Sequence, residues 1–190
     1  TGGAGFIGSH VTEKIFNNLK FSKIIILDKL TYAGNKKFLS NIINNKRVEF
    51  IKADLLNLNI LKKKLKNIDL AINVAAESHV DNSFENSYEF SKTNTLGSHI
   101  FFECCKINKV KHIIHVSTDE VYGEKKFGKS KINDVLKPTN PYSASKAAAE
   151  MIAMGYNKSF NQKITILRAN NIYGTRQYPE KLIPKTILSI

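Results

Sequence analysis

Two clusters of reactive side chains stand out in the chain. The first is Tyr142-Ser143-Ala144-Ser145-Lys146, which sets a phenol and an ammonium four residues apart, on one face of a helix. A phenol with an ordinary pKa of about 10 is a poor base at neutral pH. A neighbouring positive charge favours the phenolate and makes it available as a proton acceptor. The second cluster is Ser117-Thr118-Asp119-Glu120-Val121-Tyr122-Gly123, in which a hydroxyl is followed by two adjacent carboxyls. Neighbouring carboxyls can push their pKa values apart, so that one acts as an acid and the other as a base. Taken together, these groups are suited to moving several protons on one substrate.

A third feature concerns phosphate. Thr1-Gly2-Gly3-Ala4-Gly5-Phe6-Ile7-Gly8 carries glycines at 3, 5 and 8, and equally at 2, 5 and 8. Glycine permits a tight turn and lets backbone N–H groups approach a pyrophosphate, which then rests on the positive end of the following helix. Twenty residues beyond Gly8 an apolar run ends in Asp28. A carboxylate there binds a ribose 2′-hydroxyl and repels a 2′-phosphate, which selects NAD over NADP. Lys29 follows directly and softens that exclusion.

These groups need a scaffold that brings them together. Ile24–Leu27, Val48–Ile51, Leu70–Val74, Ile113–Val116 and Ile164–Leu167 are short apolar runs that read as strands buried on both faces of a parallel sheet. Helical patterns lie between them. Phe6, Ile7, Val11, Ile15, Phe16 and Leu19 form one apolar stripe, and further helices are expected over Leu58–Leu65, Phe84–Ile107 and Tyr142–Phe160. Strand–helix alternation of this kind predicts an α/β fold, a doubly wound, Rossmann-like parallel sheet. Functional groups in such folds gather at the carboxyl ends of strands. Asp119–Asn140 has no apolar periodicity and is long for a plain connection, so it is expected to be an active-site flap. The strand that should precede the glycine loop would lie before Thr1. The chain is therefore expected to be a fragment, one cofactor domain over residues 1–190 truncated at both ends, inactive and poor at binding NAD by itself.

Composition narrows the field. The chain has 190 residues, 42% apolar and 24% charged, which is ordinary globular composition. No apolar run approaches the roughly 20 residues of a membrane span, and the first residues do not form a signal peptide. The net charge is +13, yet the 29 basic residues include only Arg47, Arg168 and Arg176 as arginines. Nucleic-acid readers lean on the arginine fork. Dispersed lysines, with short runs at Lys62–Lys64 and Lys125-Lys126, read as solvated surface instead. Adjacent Cys104 and Cys105 sit in an apolar stretch and read as core thiols of a reducing cytoplasm. None of the five histidines pairs with a carboxylate or Cys at metal-ligand spacing, so no metal site is expected.

The glycine loop, the Tyr-x-x-x-Lys pair and the Ser-Thr-Asp-Glu-Val-Tyr-Gly segment together resemble the extended short-chain dehydrogenase/reductases, and within them the nucleoside-diphosphate-glucose 4,6-dehydratases. Leu27–Asn35, Ala75–Ser83, Asn171–Gly174 and Tyr178–Pro184 carry the same resemblance, in family order along essentially the whole chain. The resemblance implies an NAD-dependent enzyme that oxidises carbon 4 of an NDP-glucose (dTDP or UDP), eliminates water across carbons 5 and 6, and returns the hydride to carbon 6. Epimerases and decarboxylases of the superfamily typically lack the adjacent acidic pair. A non-catalytic NAD-binding module is the other alternative.

By that resemblance Tyr142 and Lys146 serve the oxidation, Thr118 polarises the carbon-4 oxygen, Glu120 is the carbon-5 base and Asp119 the acid for the leaving hydroxyl. Gly2, Gly5, Phe6, Ile7 and Gly8 would meet the pyrophosphate. Asp28, Lys29, Leu30 and Thr31 would meet the adenosine ribose, and Asp54 and Leu55 the adenine. Ala75, Ala76, Thr93 and Ile172, with Tyr142 and Lys146, would line the rest of the cofactor cleft. Asn94 stands where the superfamily has a supporting Asn. Ser78, Thr118, Asn171, Glu180 and Lys181 would face the nucleotide sugar, and His79 lies in a matched loop that could reach it. The implied partners are that nucleotide sugar and, in the full-length protein, a second copy through the Phe84–Ile107 and Tyr142–Phe160 helices. The small domain that grips the nucleotide base would lie mostly beyond Ile190.

Overall fold

All five apolar runs form strands: β1 (Ile24–Asp28), β2 (Val48–Lys52), β3 (Leu70–Asn73), β4 (His112–Thr118) and β5 (Ile164–Ala169). The structure, a computed structural model, describes residues 1–125 and 127–190; Lys126 lies outside the described residues. Every pairing is parallel, with Ile26 opposite Phe50, Ala71 opposite Ile113, and Val116 opposite Leu167. Between β1 and β3 the Gly2 N–H donates to the Leu27 carbonyl at 2.9 Å, and the Val74 N–H donates to the Thr1 carbonyl at 3.2 Å. Residues 1–2 thus join the two halves of the sheet, in the order β2-β1-(1–2)-β3-β4-β5.

Alternate residues of β1 and β2 enter different cores, as the two-residue period of a strand requires. Ile26 and Phe50 belong to a cluster with Leu39 and Phe16, whereas Leu27 and Ile51 join the larger cluster around Leu61, Phe101, Phe102 and Ile113. Both faces are therefore covered, which makes the sheet doubly wound. The expectation of burial on both faces fails for β2 and β5. These strands are the sheet edges, and Thr165 and Leu167 of β5 are exposed on one face.

Helix α1 (Phe6–Asn18) fully buries Gly8, Ser9 and Thr12, whereas the apolar stripe is only half-buried, with Phe16 against the Ile26–Leu39 cluster and Leu19, past the helix end, 57% exposed. The reason is close approach. A Cβ on Gly8 would lie 2.0 Å from the Gly2 carbonyl oxygen, so only small residues fit against the loop. The single helix expected over Phe84–Ile107 is broken at Asn86. It becomes α3 (Val80–Glu85), α4 (Ser87–Phe90), a π-helical turn over Ser91–Leu96, and α5 (Gly97–Ile107). The wide turn carries Asn94, which is fully buried. Its amide donates to the Glu77 carbonyl and the Ser145 hydroxyl, both at 2.9 Å, and it accepts from the Glu77 N–H. His79 caps α3 by accepting from the Asn82 N–H, so its ring is engaged in the fold and not in the cleft.

Helix α6 (Pro141–Phe160) starts where its sequence says it should. Asn140 accepts from the Ser143 N–H, Ser143 reciprocates at the Asn140 N–H, and Pro141 occupies the first turn. The Asp119–Asn140 segment opens with a 3-10 turn over Asp119–Tyr122, capped by the Thr118 hydroxyl. Its returning limb is pinned where the Lys137 N–H donates to the Val121 carbonyl at 2.9 Å. Cys104 and Cys105 are free and buried. Among the described residues no helix is long and apolar enough to cross a membrane.

One ion pair ties these parts together. Arg168 of β5 forks onto the Glu150 carboxylate of α6, with Nε to Oε2 at 3.0 Å and Nη2 to Oε2 at 2.7 Å. Its Nη1 donates to the Tyr122 hydroxyl at 2.5 Å and to the Ile132 carbonyl at 2.9 Å. The Glu150 side chain is fully buried and that of Arg168 is 17% exposed. Removing one partner of such a pair strands the other charge in a poorly solvated site. Glu150→Ala should therefore cost about 3–5 kcal/mol. At roughly 2–4 °C per kcal/mol for a domain of this size, Tm should fall by roughly 6–20 °C. Calorimetry checks this, and an unchanged Tm would show that the pair adds nothing.

Candidate active site

The carboxyl ends of β1, β3, β4 and β5 open onto one cleft of about 300 Å³. It lies at the midline, where the strand order reverses, as expected for open α/β sheets. Of the residues singled out in the sequence as catalytic, cofactor- or substrate-facing, all but Asp119, Leu30 and His79 line its wall.

The glycine loop forms one end. Gly2 has φ +67°, and a Cβ there would sit 2.6 Å from the Ala75 nitrogen, so no other residue fits this turn without moving β3. Asp28, 8% exposed, accepts from the Ala4 N–H at 2.9 Å through Oδ2 and from the Leu30 N–H at 2.8 Å through Oδ1. The carboxylate thus clips the loop to β1, and each oxygen keeps a lone pair for a further donor. Leu30, at φ +58°, takes part only through its backbone. Lys29 pairs with Asp54 at 2.8 Å beside the same end. Helix α1 begins at Gly5 with no side-chain cap and no acidic residue in its first turn. Its first N–H groups are left for an anion.

The other end holds Thr118, Glu120, Tyr142 and Lys146. Lys146, 3% exposed, donates to the Val116 carbonyl at 2.7 Å. Burial pulls its ammonium down to about 8, against the pull of the Glu150 carboxylate one helical turn away. The Tyr142 phenol shifts the other way. Burial, then the Glu120 and Asp119 charges, push the phenol up to about 12, with the Thr118 hydroxyl opposing.

Asp119 begins a 3-10 turn, in which successive side chains are rotated by about 120°, and its charge still acts on the Tyr142 phenol. The turn directs Glu120 to the wall; Asp119 lies beside Thr118, whose hydroxyl donates to it at 3.4 Å.

A strap closes the cleft from the side. Lys181 donates to the Ser78 carbonyl at 2.7 Å, and Tyr32 donates to the Glu180 carboxylate at 3.2 Å while stacking edge-on against Tyr178. Arg176 anchors the strap to α1 through Glu13 at 2.7 Å. Burial lowers the Lys181 ammonium, against Glu180, Glu120 and Asp81.

Sequence reasoning passed over several wall residues. Glu77, held above the usual carboxylate range chiefly by burial, sits in a segment already quoted but has no chemical partner nearby in sequence. Ser117 Oγ and Gln177 Oε1 line the cleft and are buried without a hydrogen-bond partner among the described residues. Such orphaned atoms mark a wall built for a polar ligand. Nothing in the spacing of Gln177 signals this.

Comparison with known proteins agrees with the geometry. The family described as GDP-mannose 4,6 dehydratase matches residues 1–190. A dTDP-D-glucose 4,6-dehydratase of Dictyostelium discoideum is 46% identical over 200 residues, covering 98% of this chain and 46% of that protein. A trifunctional Arabidopsis thaliana protein, named for UDP-glucose 4,6-dehydratase together with 3,5-epimerase and reductase activities, is 45% identical. There the match covers 99% of this chain and 29% of that one. The crystal structure of DesIV, a dTDP-glucose 4,6-dehydratase of Streptomyces venezuelae with NAD bound, superposes with a TM-score of 0.97 at 37% identity. It covers 99% of this chain and 60% of that one. The chain therefore spans about half or less of the curated relatives it matches. By sequence, fold and the placement of its cleft, the chain belongs to the GDP-mannose 4,6 dehydratase family.

Proposed function

We propose that the protein containing this chain is an NAD-dependent NDP-glucose 4,6-dehydratase, acting on dTDP- or UDP-glucose in the cytoplasm. The observation that carries the reading is the single cleft that unites the glycine loop with Thr118, Glu120, Tyr142 and Lys146. The residues fit NAD: an uncapped helix N-terminus for the pyrophosphate, Asp28 lone pairs for the ribose, and the orphaned Ser117 and Gln177 oxygens farther along. Held there, NAD would supply the acceptor for the carbon-4 hydride and its return to carbon 6, with the proton taken by Glu120 going back to carbon 5.

The chain's own groups supply the proton transfers. Tyr142 accepts the proton of the carbon-4 hydroxyl while Thr118 donates to that oxygen. Burial pushes the phenol up to about 12, and the positive charges of Lys146 and of a nicotinamide would act in the opposite direction. Lys146 is still charged at neutral pH, because its pKa of about 8 lies above it. Once carbon 4 is a ketone the carbon-5 proton is acidic, and Glu120 takes it. Asp119 gives a proton to the carbon-6 hydroxyl, which leaves as water. Asp119 stands beside Thr118, and its charge acts on Tyr142. Ser78, Asn171, Glu180 and Lys181, on the strap side, face the nucleotide sugar. The same phenol–ammonium pair would serve a 4-epimerase; the adjacent acids favour dehydration, because elimination needs one base and one acid more. Exposed Tyr88, Leu96 and Met151 on the α4–α6 side support a homodimer through these helices.

Full-length protein given dTDP-glucose and UDP-glucose should form a 4-keto-6-deoxy sugar, read by its absorbance in alkali. Formation of the galactose epimer alone would overturn the reading. Tyr142→Phe should lower the oxidation rate by about a hundredfold or more, seen as loss of the reduced-NAD signal in a single turnover. Glu120→Gln should slow elimination by about 10²–10⁴-fold and spare oxidation, so reduced NAD should accumulate. Equal slowing of both steps would remove Glu120 from its role as base.

A further inference from the structure

We propose that Asn140 is a positioning residue for Glu120, and that one carboxamide both starts the helix bearing Tyr142 and fixes the base across the cleft from it. This rests on the dehydratase reading for its kinetic meaning, but the geometry stands independently. Asn140 Oδ1 accepts from the Ser143 N–H at 2.8 Å, which caps α6. Its Nδ2 donates to Glu120 Oε2 at 3.3 Å. The two contacts determine each other. The capping atom must be the oxygen, since it receives an N–H, so the nitrogen necessarily faces the carboxylate. Among the described residues this is the one side-chain hydrogen bond that the Glu120 carboxylate accepts, and Oε1 keeps its lone pairs free.

The contact also bridges the whole flap, joining residues 20 apart in sequence at the point where the flap leaves and rejoins the scaffold. Asn140 lies two residues before Tyr142, so the base is registered to the phenol through rigid helix backbone and not through the flap. Three titratable groups face Glu120: Asp119 on its own turn, Tyr142 on α6, and Lys181 on the strap, itself flanked by Glu180 and Asp81. Asn140 is the neutral partner among them. It orients the carboxylate without adding charge.

Substitution at an N-cap offers an internal control, because Ser and Asp cap about as well as Asn. Asn140→Ser should keep the Tm of the full-length protein, whereas Asn140→Asp should lower it modestly at neutral pH and regain it where Glu120 is protonated. With Asn140→Ser, oxidation should proceed at the normal rate while elimination slows about tenfold, and reduced NAD should accumulate. Asn140→Asp places a second carboxylate against Glu120 and favours its protonated form. The Glu120 titration midpoint, followed by carbon-13 NMR of the ligand-free protein, should rise by about one unit. The acid limb of the elimination rate should move up with it. An unmoved midpoint in Asn140→Asp, or equal slowing of oxidation and elimination in Asn140→Ser, would overturn the positioning role. The NMR titration does not require turnover. A wild-type protein that makes no 4-keto sugar would sink the dehydratase reading, and the midpoint would still decide for or against Asn140.

Discussion

The seam between β1 and β3 is the constraint on which the rest depends. Thr1 and Gly2 bridge the two halves of the sheet, and Gly2 turns there with φ +67° and no room for a side chain. Gly8 must then pass within contact of the Gly2 carbonyl, which forces α1 to present small residues to the loop. Asp28 holds the loop down with two backbone hydrogen bonds. The cleft exists because this turn is tight: a looser one would lift α1 from β1 and close the space beneath the strand ends.

Electrostatics in the cleft is governed by desolvation more than by pairing. Lys146 and Tyr142 move in opposite directions, the ammonium down to about 8 and the phenol up to about 12, because burial disfavours the charged form of each.

Precision in the acidic turn comes from outside the cleft. Arg168 grips Glu150 on α6 and Tyr122 at the end of the Asp119–Tyr122 turn, while Asn140 grips Glu120 at its middle. A turn of four residues has little stiffness of its own. Two polar ties to the same helix give it the helix's rigidity, and the long segment that follows can vary without disturbing it.

Much of this was readable from the chain itself. Five short apolar runs, the glycine pattern and Asp28 at a strand end are local signals, and each produced its element because patterns within a few residues set it. Tyr142 and Lys146 met on one face because four residues make about one helical turn. Only the tertiary structure decided the rest. It placed Asp119 beside Thr118 at the start of a 3-10 turn while Glu120 lines the wall; it showed that burial pushes the Tyr142 phenol up, since desolvation depends on everything packed around a group; and it showed that α1 buries its small residues, since the partner it packs against is another turn of backbone. Arg168, Asn140 and Gln177 drew no notice in the sequence because their partners lie 18, 20 or more residues away, or line the cleft from another strand's end. Local pattern reports on contacts within a few residues, and function here depends on contacts that only folding brings into range.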